Sequence, residues 1–219
     1  MKKVAVVLAG CGVYDGAEIH ESVLTLLALD RRNADVTIFA PDSNQHHVID
    51  HTKGSEANET RNVLVESARI ARGEITDLAE ANAADFDAII FPGGFGAAKN
   101  LCNFAVKGPD CDVNPHVETF IKDGLNANKV MGFICIAPAL LAKVSGKMNL
   151  QLEVTIGTDP GTAEAVEAMG ARHVNCSVTD IVVDAGNKIV TTPAYMLGQR
   201  ISEVAEGIDK LVAKVLELA

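Results

Sequence analysis

The sequence predicts a single α/β domain over residues 1–219, with a mostly parallel sheet covered by helices on both faces. Three observations predict it. Short apolar runs alternate with stretches of helical periodicity from one end of the chain to the other. Hydrophobic residues reach 48% although Trp is absent and aromatics are only 4%, so Val, Ile, Leu and Ala must build the core, as suits buried parallel strands. No internal repeat, linker or low-complexity tract divides the chain.

Lys3 to Ala9 reads as the first strand and Gly10 to Gly16 as the loop that leaves it. The two lysines before this strand imitate a secretory leader, but the apolar stretch is too short and Gly10-Cys11-Gly12 ends it. Glu18 to Asp30 follows as a helix, with Ile19, Val23, Leu26 and Leu27 as its apolar stripe. Asp35 to Ala40 is a second strand, stopped by Pro41. The polar stretch from Asp42 to Glu59 reads as a small insertion after strand two, with a hairpin around Val48 and Ile49.

Arg61 to Ala71 is helical, and Asp87 to Phe91 is a third core strand halted by Pro92-Gly93-Gly94. Val117 to Asn126 is helical, Lys129 to Ile134 is a fourth core strand, and Ala137 to Val144 is a helix with Pro138 in its first turn, where proline fits. A short strand at Val154 to Gly157 and a helix at Thr162 to Met169 come next. Val182 to Val190 reads as a hairpin turned at Ala185 to Asn187, and a last helix runs from Leu197 to Leu218.

Charge and composition exclude several classes of function. Asp and Glu number 29 against 19 Lys and Arg, a formal charge of −10 that repels phosphate backbones and anionic lipid. Nucleic acid and membrane are therefore not expected as partners, and no apolar run approaches the roughly 20 residues of a membrane span. Five cysteines without a CxxC pair fit neither a disulfide framework nor a zinc site, and a reducing cytoplasm is the expected compartment.

Ligands of open parallel sheets bind beyond the carboxyl ends of the strands. Three such ends carry unusual residues: Gly10 to Glu21, Pro92 to Asn100 and Cys135 to Pro138. Cys135 directly follows an apolar strand and precedes a helix, the setting of a nucleophile elbow. There a helix amino terminus is expected to lower the thiol pKa, and the N–H of Ile136 is placed to cradle an oxyanion. A small buried thiol capping a core strand explains the same position equally well.

Gly93 and Gly94 allow close backbone approach and supply a second half for the oxyanion site, or simply turn the chain. Glu21 and Glu18 stand in the first turn of a helix, where acids are favourable anyway; a carboxyl reaching the crevice would share a proton with Cys135. Cys11, His20 and Asn100 are further candidates for the pocket. Gly10, Gly12 and Gly16 do not complete a GxGxxG loop, so no nicotinamide site is expected. His46, His47 and His51 lack a matched carboxylate or thiol and read as a solvated loop rather than a metal cluster.

Two strings carry a resemblance: Ile89-Ile90-Phe91-Pro92-Gly93-Gly94-Phe95-Gly96-Ala97-Ala98-Lys99-Asn100-Leu101 and Gly132-Phe133-Ile134-Cys135-Ile136-Ala137-Pro138-Ala139. Both resemble the class I glutamine amidotransferase-like superfamily, in its branch of PfpI-type proteases and the Parkinson-linked deglycase. Leu8 to Gly16, Thr60 to Leu64 and Ile189 to Met196 extend the likeness nearly end to end, toward the ElbB-type proteins that enhance lycopene biosynthesis. The resemblance implies a flavodoxin-like three-layer sandwich, Cys135 as the reactive elbow cysteine, Glu21 as the pocket acid and the backbones of Gly94 and Ile136 as oxyanion donors.

It also implies a homodimer and a cofactor-free glyoxalase, a lyase that turns glyoxal into glycolate. Where PfpI-type proteases carry a His after the cysteine this chain has Ile136, and Thr155 to Pro160 lacks the later His of the deglycase branch. That argues against a Cys-His hydrolase or peptidase. It leaves a non-catalytic redox sensor or interaction protein with an oxidisable Cys135 as the alternative. The link to isoprenoids finds no aspartate-rich diphosphate motif here.

Overall fold

The apolar run after Lys2 forms β1 (Lys3–Val7), whose last four residues are buried. The computed structural model describes residues 1–219. Along the chain follow β2 (Asp35–Ala40), β3 (Ile49–Asp50), β4 (Ser55–Glu56), β5 (Thr76–Asp77), β6 (Ala88–Phe91), β7 (Val130–Ile134), β8 (Glu153–Val154), β9 (Arg172–His173), β10 (Val182–Asp184) and β11 (Ile189–Thr192). The helices are α1 (Ile19–Asp30), α2 (Val63–Ile70), α3 (Phe95–Lys99), α4 (Phe104–Lys107), α5 (Pro115–Asn126), α6 (Pro138–Lys147), α7 (Pro160–Ala168) and α8 (Ile201–Leu218).

The main sheet runs β10-β11-β7-β6-β1-β2-β5, parallel throughout except where β10 meets β11. Successive residues of β6 and β7 face opposite sides of it, as the strand period requires. Gly124 of α5 lies against Ile89 and Met131, while Leu211 and Val215 of α8 lie against Gly132 on the other side. The result is the flavodoxin-like three-layer sandwich, with β1, β6 and β7 buried at its centre.

The inserted segment forms the small antiparallel hairpin β3–β4, as its sequence implied. Elsewhere tertiary context moved the boundaries. The arm read as the second half of a hairpin, β11, is a core strand that pairs in parallel with β7, Thr192 opposite Ile134. The last helix starts at Ile201 rather than Leu197, because Ala194 to Met196 forms a 3-10 turn and Glu203 takes the N–H groups of Gln199 and Arg200. On α1, Ile19, Val23 and Leu27 are exposed rather than core-facing. The helix instead turns Glu21, Ser22, Thr25, Ala28 and Leu29 inward.

Candidate active site

The chain leaves β7 at Ile134 and reverses at Cys135, whose φ of +62° places a non-glycine residue in the left-handed region. That conformation costs about 1–2 kcal/mol and is held from both sides. The N–H of Cys135 donates to the carbonyl of Thr192 at 2.9 Å, and α6 begins three residues later at Pro138. The side chain is 7% exposed.

Glu21 reaches this thiol from α1 and is wholly buried. Its Oε2 accepts the N–H of Gly93 at 2.9 Å and its Oε1 accepts the N–H of Tyr195 at 3.2 Å. Burial, and then the charge of Glu18, push the Glu21 carboxyl up to about 8; the N–H groups of Tyr195 and Gly93 and a hydrogen bond from Cys135 pull the other way. Burial likewise drives the thiol well above its ordinary range, and the Glu21 charge adds to this. The N–H groups of Gly94 and Ile136 act to lower it.

This corrects the expectation of a thiol whose pKa is simply lowered by the helix start, because burial beside an acid outweighs the backbone dipoles. Two like charges in one dry site cannot both form, so a proton is retained between Cys135 and Glu21. A thiolate arises there when Glu21 carries the proton.

The glycines serve packing as well as approach. A Cβ on Gly93 would stand 2.5 Å from the Cβ of Cys135 and 2.8 Å from Oε2 of Glu21. Glycine is therefore what allows acid and thiol to meet across this turn. Gly94 has a φ of +91°, and a Cβ there would meet the backbone N of Glu18 at 2.3 Å.

Cys135 opens on a cavity of about 440 Å³. Val13, Phe95, Phe104, Ile136 and Met196 give it apolar walls, and Glu18, Thr162 and Tyr195 supply polar groups. Glu18 is the N-cap of α1 and accepts the Glu21 N–H at 2.7 Å, so it both lines the cavity and positions the acid. No three His, Cys, Asp or Glu side chains gather in a metal-binding group.

Of the residues expected at the site, Cys135, Glu21, Gly93, Gly94, Ile136 and Glu18 come together. His20 stands beside the cavity rather than on its wall, with Nδ1 2.7 Å from the Tyr195 hydroxyl. Asn100 does not line it: its amide donates to the carbonyls of Ala9 and Asp15, both at 2.8 Å, and its Oδ1 accepts the His46 N–H. It fastens the inserted segment to the first loop. Cys11 is also elsewhere, against the charges of Glu66 and Arg69, its thiol pushed up by burial.

Tyr195, Thr162 and Phe104 were not expected. The signal for Tyr195 was present, because it follows the carboxyl end of β11, but only if that strand is recognised as a parallel core strand. Thr162 and Phe104 come from segments that end no main-sheet strand, and nothing in their local sequence marks them.

Comparisons with known proteins bear on the family and the fold of the chain. The DJ-1/PfpI family model matches residues 2–196. A rat protein named "ES1 protein homolog, mitochondrial" is 54% identical over 226 residues, spanning 99% of this chain and 84% of the relative. The human "Glutamine amidotransferase-like class 1 domain-containing protein 3, mitochondrial" is also 54% identical, over 99% of this chain and 83% of its own. Among solved structures, an isoprenoid biosynthesis protein with amidotransferase-like domain from Ehrlichia chaffeensis superposes with a TM-score of 0.94 at 37% identity, covering 100% of this chain and 99% of that one.

The names of the rat and human relatives overturn the expectation of a cytoplasmic setting, since they point to mitochondria. Cysteine usage reports a reducing environment and cannot separate one such compartment from another. A cysteine-based enzyme or a redox sensor is the general role that the family supports. The chain belongs to the DJ-1/PfpI family.

Proposed function

We propose that the chain is a cofactor-independent glyoxalase-type lyase, converting glyoxal or a similar small 2-oxoaldehyde to its hydroxy acid. The observation that carries this reading is the buried pair of Glu21 and Cys135, with the N–H groups of Gly94 and Ile136 facing the same sulfur. The thiolate of Cys135 adds to one aldehyde carbon, and the proton held on Glu21 goes to the new oxygen, giving a hemithioacetal. The two N–H groups stabilise charge on that oxygen.

The Glu21 carboxylate then removes the C–H proton of this carbon and returns it to the neighbouring carbon, while the hydroxyl proton passes from the first oxygen to the second. The first carbon becomes the thioester carbonyl and the second the CH₂OH carbon. The thioester that results is cleaved by water, releasing glycolate and restoring the thiol. A carboxyl with a pKa near neutrality suits both directions of proton transfer. The apolar cavity holds a small uncharged substrate and has no Lys or Arg on its wall, which disfavours a diphosphate. A homodimer is part of the proposal, with the exposed apolar stripe of α1 as the covered face.

The test is glyoxal consumption with glycolate detected, by the wild type and by Cys135→Ala at matched folding under reducing conditions. Turnover that falls at least about 10³-fold in the variant is expected. Equal turnover in both, or none in the wild type, overturns the reading.

A redox-sensing role is the second reading. It is favoured by the engagement of His20 with the Tyr195 hydroxyl, which leaves Cys135 the Glu21 carboxyl and two N–H groups as its partners. These groups would hold the oxygens of an oxidised sulfur. Selective oxygen addition to Cys135 by mild peroxide, with no aldehyde turnover, would establish it.

A further inference from the structure

Between α3 and α5 the chain folds back on itself. Cys102 pairs antiparallel with Val113, fixed by the N–H of Asn114 on the carbonyl of Leu101 at 2.8 Å and the N–H of Asn103 on the carbonyl of Asp112 at 3.1 Å. Side chains reinforce the turn: Asn103 Oδ1 accepts the Asp112 N–H, and the Lys107 ammonium meets the Asp112 carboxylate at 2.7 Å. Cys111 is extended and lies two residues before Val113, which places it on the same face as Cys102 and diagonal to it. Cys102 Sγ donates to the carbonyl of Ala97 at 3.4 Å and Cys111 Sγ to the Met169 sulfur at 3.8 Å. The two thiols are 4% and 1% exposed, and each shifts the titration of the other.

We propose that Cys102 and Cys111 are a redox-active dithiol that closes to a disulfide, strapping the segment that carries Phe104 and Ala105 on the wall of the cavity. The proposal is independent of the reaction assigned to Cys135. The segment between the two cysteines is itself exposed, since none of the four residues of α4 is buried. Cys102 beside it pulls the Cys111 thiol below its ordinary range against the effect of its burial, and the Lys143 ammonium assists. Lys143 is held nearby, donating to the carbonyl of Pro109 at 2.8 Å. Cys102 is pushed in the opposite direction and keeps its proton.

Cys111, with the Lys143 ammonium fastened to the carbonyl two residues before it in the chain, is the attacking sulfur of the pair, and Cys102 is the resolving one. With a peroxide as oxidant, the Cys111 thiolate attacks one oxygen, the O–O bond breaks, and the departing hydroxide takes up a proton to become water. Cys102 then attacks the sulfenic sulfur of Cys111: the S–S bond forms and the S–O bond breaks. The hydroxide released leaves as a second water with the Cys102 proton. Two thiols lose two electrons and one peroxide becomes two waters.

The experiment treats the folded wild-type chain with hydrogen peroxide, alkylates the remaining thiols after unfolding, and maps the peptides by mass. Cleavage after Lys107 separates the two cysteines, so a cross-link joins two peptides. The expected result is a loss of two hydrogens confined to a Cys102–Cys111 linkage, reversed by dithiothreitol, with slower amide exchange over residues 103–110. Cys102→Ser and Cys111→Ser, taken separately, should each abolish the linkage while oxidation of Cys135 persists. Alkylation of both cysteines after Cys135 has been oxidised overturns the proposal, as does a linkage through any other cysteine. A linkage that leaves amide exchange over 103–110 unchanged overturns the strapping of the cavity wall.

Discussion

Glu21 Oε1 accepts the backbone N–H of Tyr195 at 3.2 Å, so the acid in α1 is oriented by the turn after β11, 174 positions later in the chain. The same tyrosine lines the cavity, and its hydroxyl lies 2.7 Å from His20 Nδ1. Main chain and side chain therefore serve the site in two separable ways.

Tyr195→Phe tests that separation. The variant keeps the N–H that fixes Glu21 and loses only the hydroxyl. One hydrogen bond to substrate corresponds to about a three- to tenfold rise in the KM for glyoxal. The kcat and its pH profile should stay near wild type, because the Glu21 environment is preserved. A large fall in kcat at constant KM would show instead that the hydroxyl acts in the transition state.

Glu21→Gln should alter both catalysis and the pH dependence of stability. Loss of the acid-base group is expected to cost about 10²–10⁴ in kcat. For stability, the buried carboxyl titrates near 8 instead of its ordinary 4.5, so the native state retains a proton that the unfolded chain releases. The contribution is fully present below pH 4.5 and is lost as pH rises through about 8. Over that window it is on the order of a few kcal/mol. The Tm of the wild type should therefore fall more steeply than that of Glu21→Gln between these limits in calorimetry. Parallel curves would show that Glu21 does not hold its proton in the native state.

Much of the frame was legible because β1, β6 and β7 are uninterrupted apolar runs ended by glycine, proline or the elbow, and local sequence decides such strands. The parts that misled are those that tertiary contacts decide. Val182 to Val190 does turn as a hairpin, yet its second arm, β11, is claimed by β7, and only that pairing brings Tyr195 to Glu21. The stripe of Ile19, Val23 and Leu27 has helical spacing that does not say which face of α1 is buried. Cys135 and Glu21 could be named from position, but their shared proton depends on a burial that no local pattern reveals. Asn100 sits in the segment expected to line the pocket and is spent on backbone carbonyls of the first loop.

Gly93→Ala and Gly161→Ala should move stability in opposite directions. At Gly93 the added methyl meets the Cys135 Cβ, the Glu21 carboxylate and the carbonyl of Ile134, all within 2.8 Å. Overpacking of this kind costs about 1–3 kcal/mol and should also separate the thiol from the acid. Gly161 lies in the first turn of α7 with no atom nearer than the Asp159 side chain at 3.8 Å. Alanine there is expected to stabilise by a few tenths up to about 1 kcal/mol, by reducing the freedom of the unfolded chain. Urea unfolding of both variants checks the pair; a neutral Gly93→Ala would mean that the turn yields without cost.

The exposed stripe of α1 leads to the last prediction. Ile19, Val23 and Leu27 recur every four residues and are 42%, 48% and 39% exposed, so they form one apolar face on the helix that carries Glu21. The proposed homodimer covers that face with a second copy, and a charge at its centre would have to be buried without a partner. Val23→Glu should therefore sediment as a monomer at micromolar concentration while the wild type sediments as a dimer. The buried side of α1 is untouched by the change, so the fold should survive it. A monomeric wild type would remove the dimer altogether. A dimeric Val23→Glu would place the contact on another face.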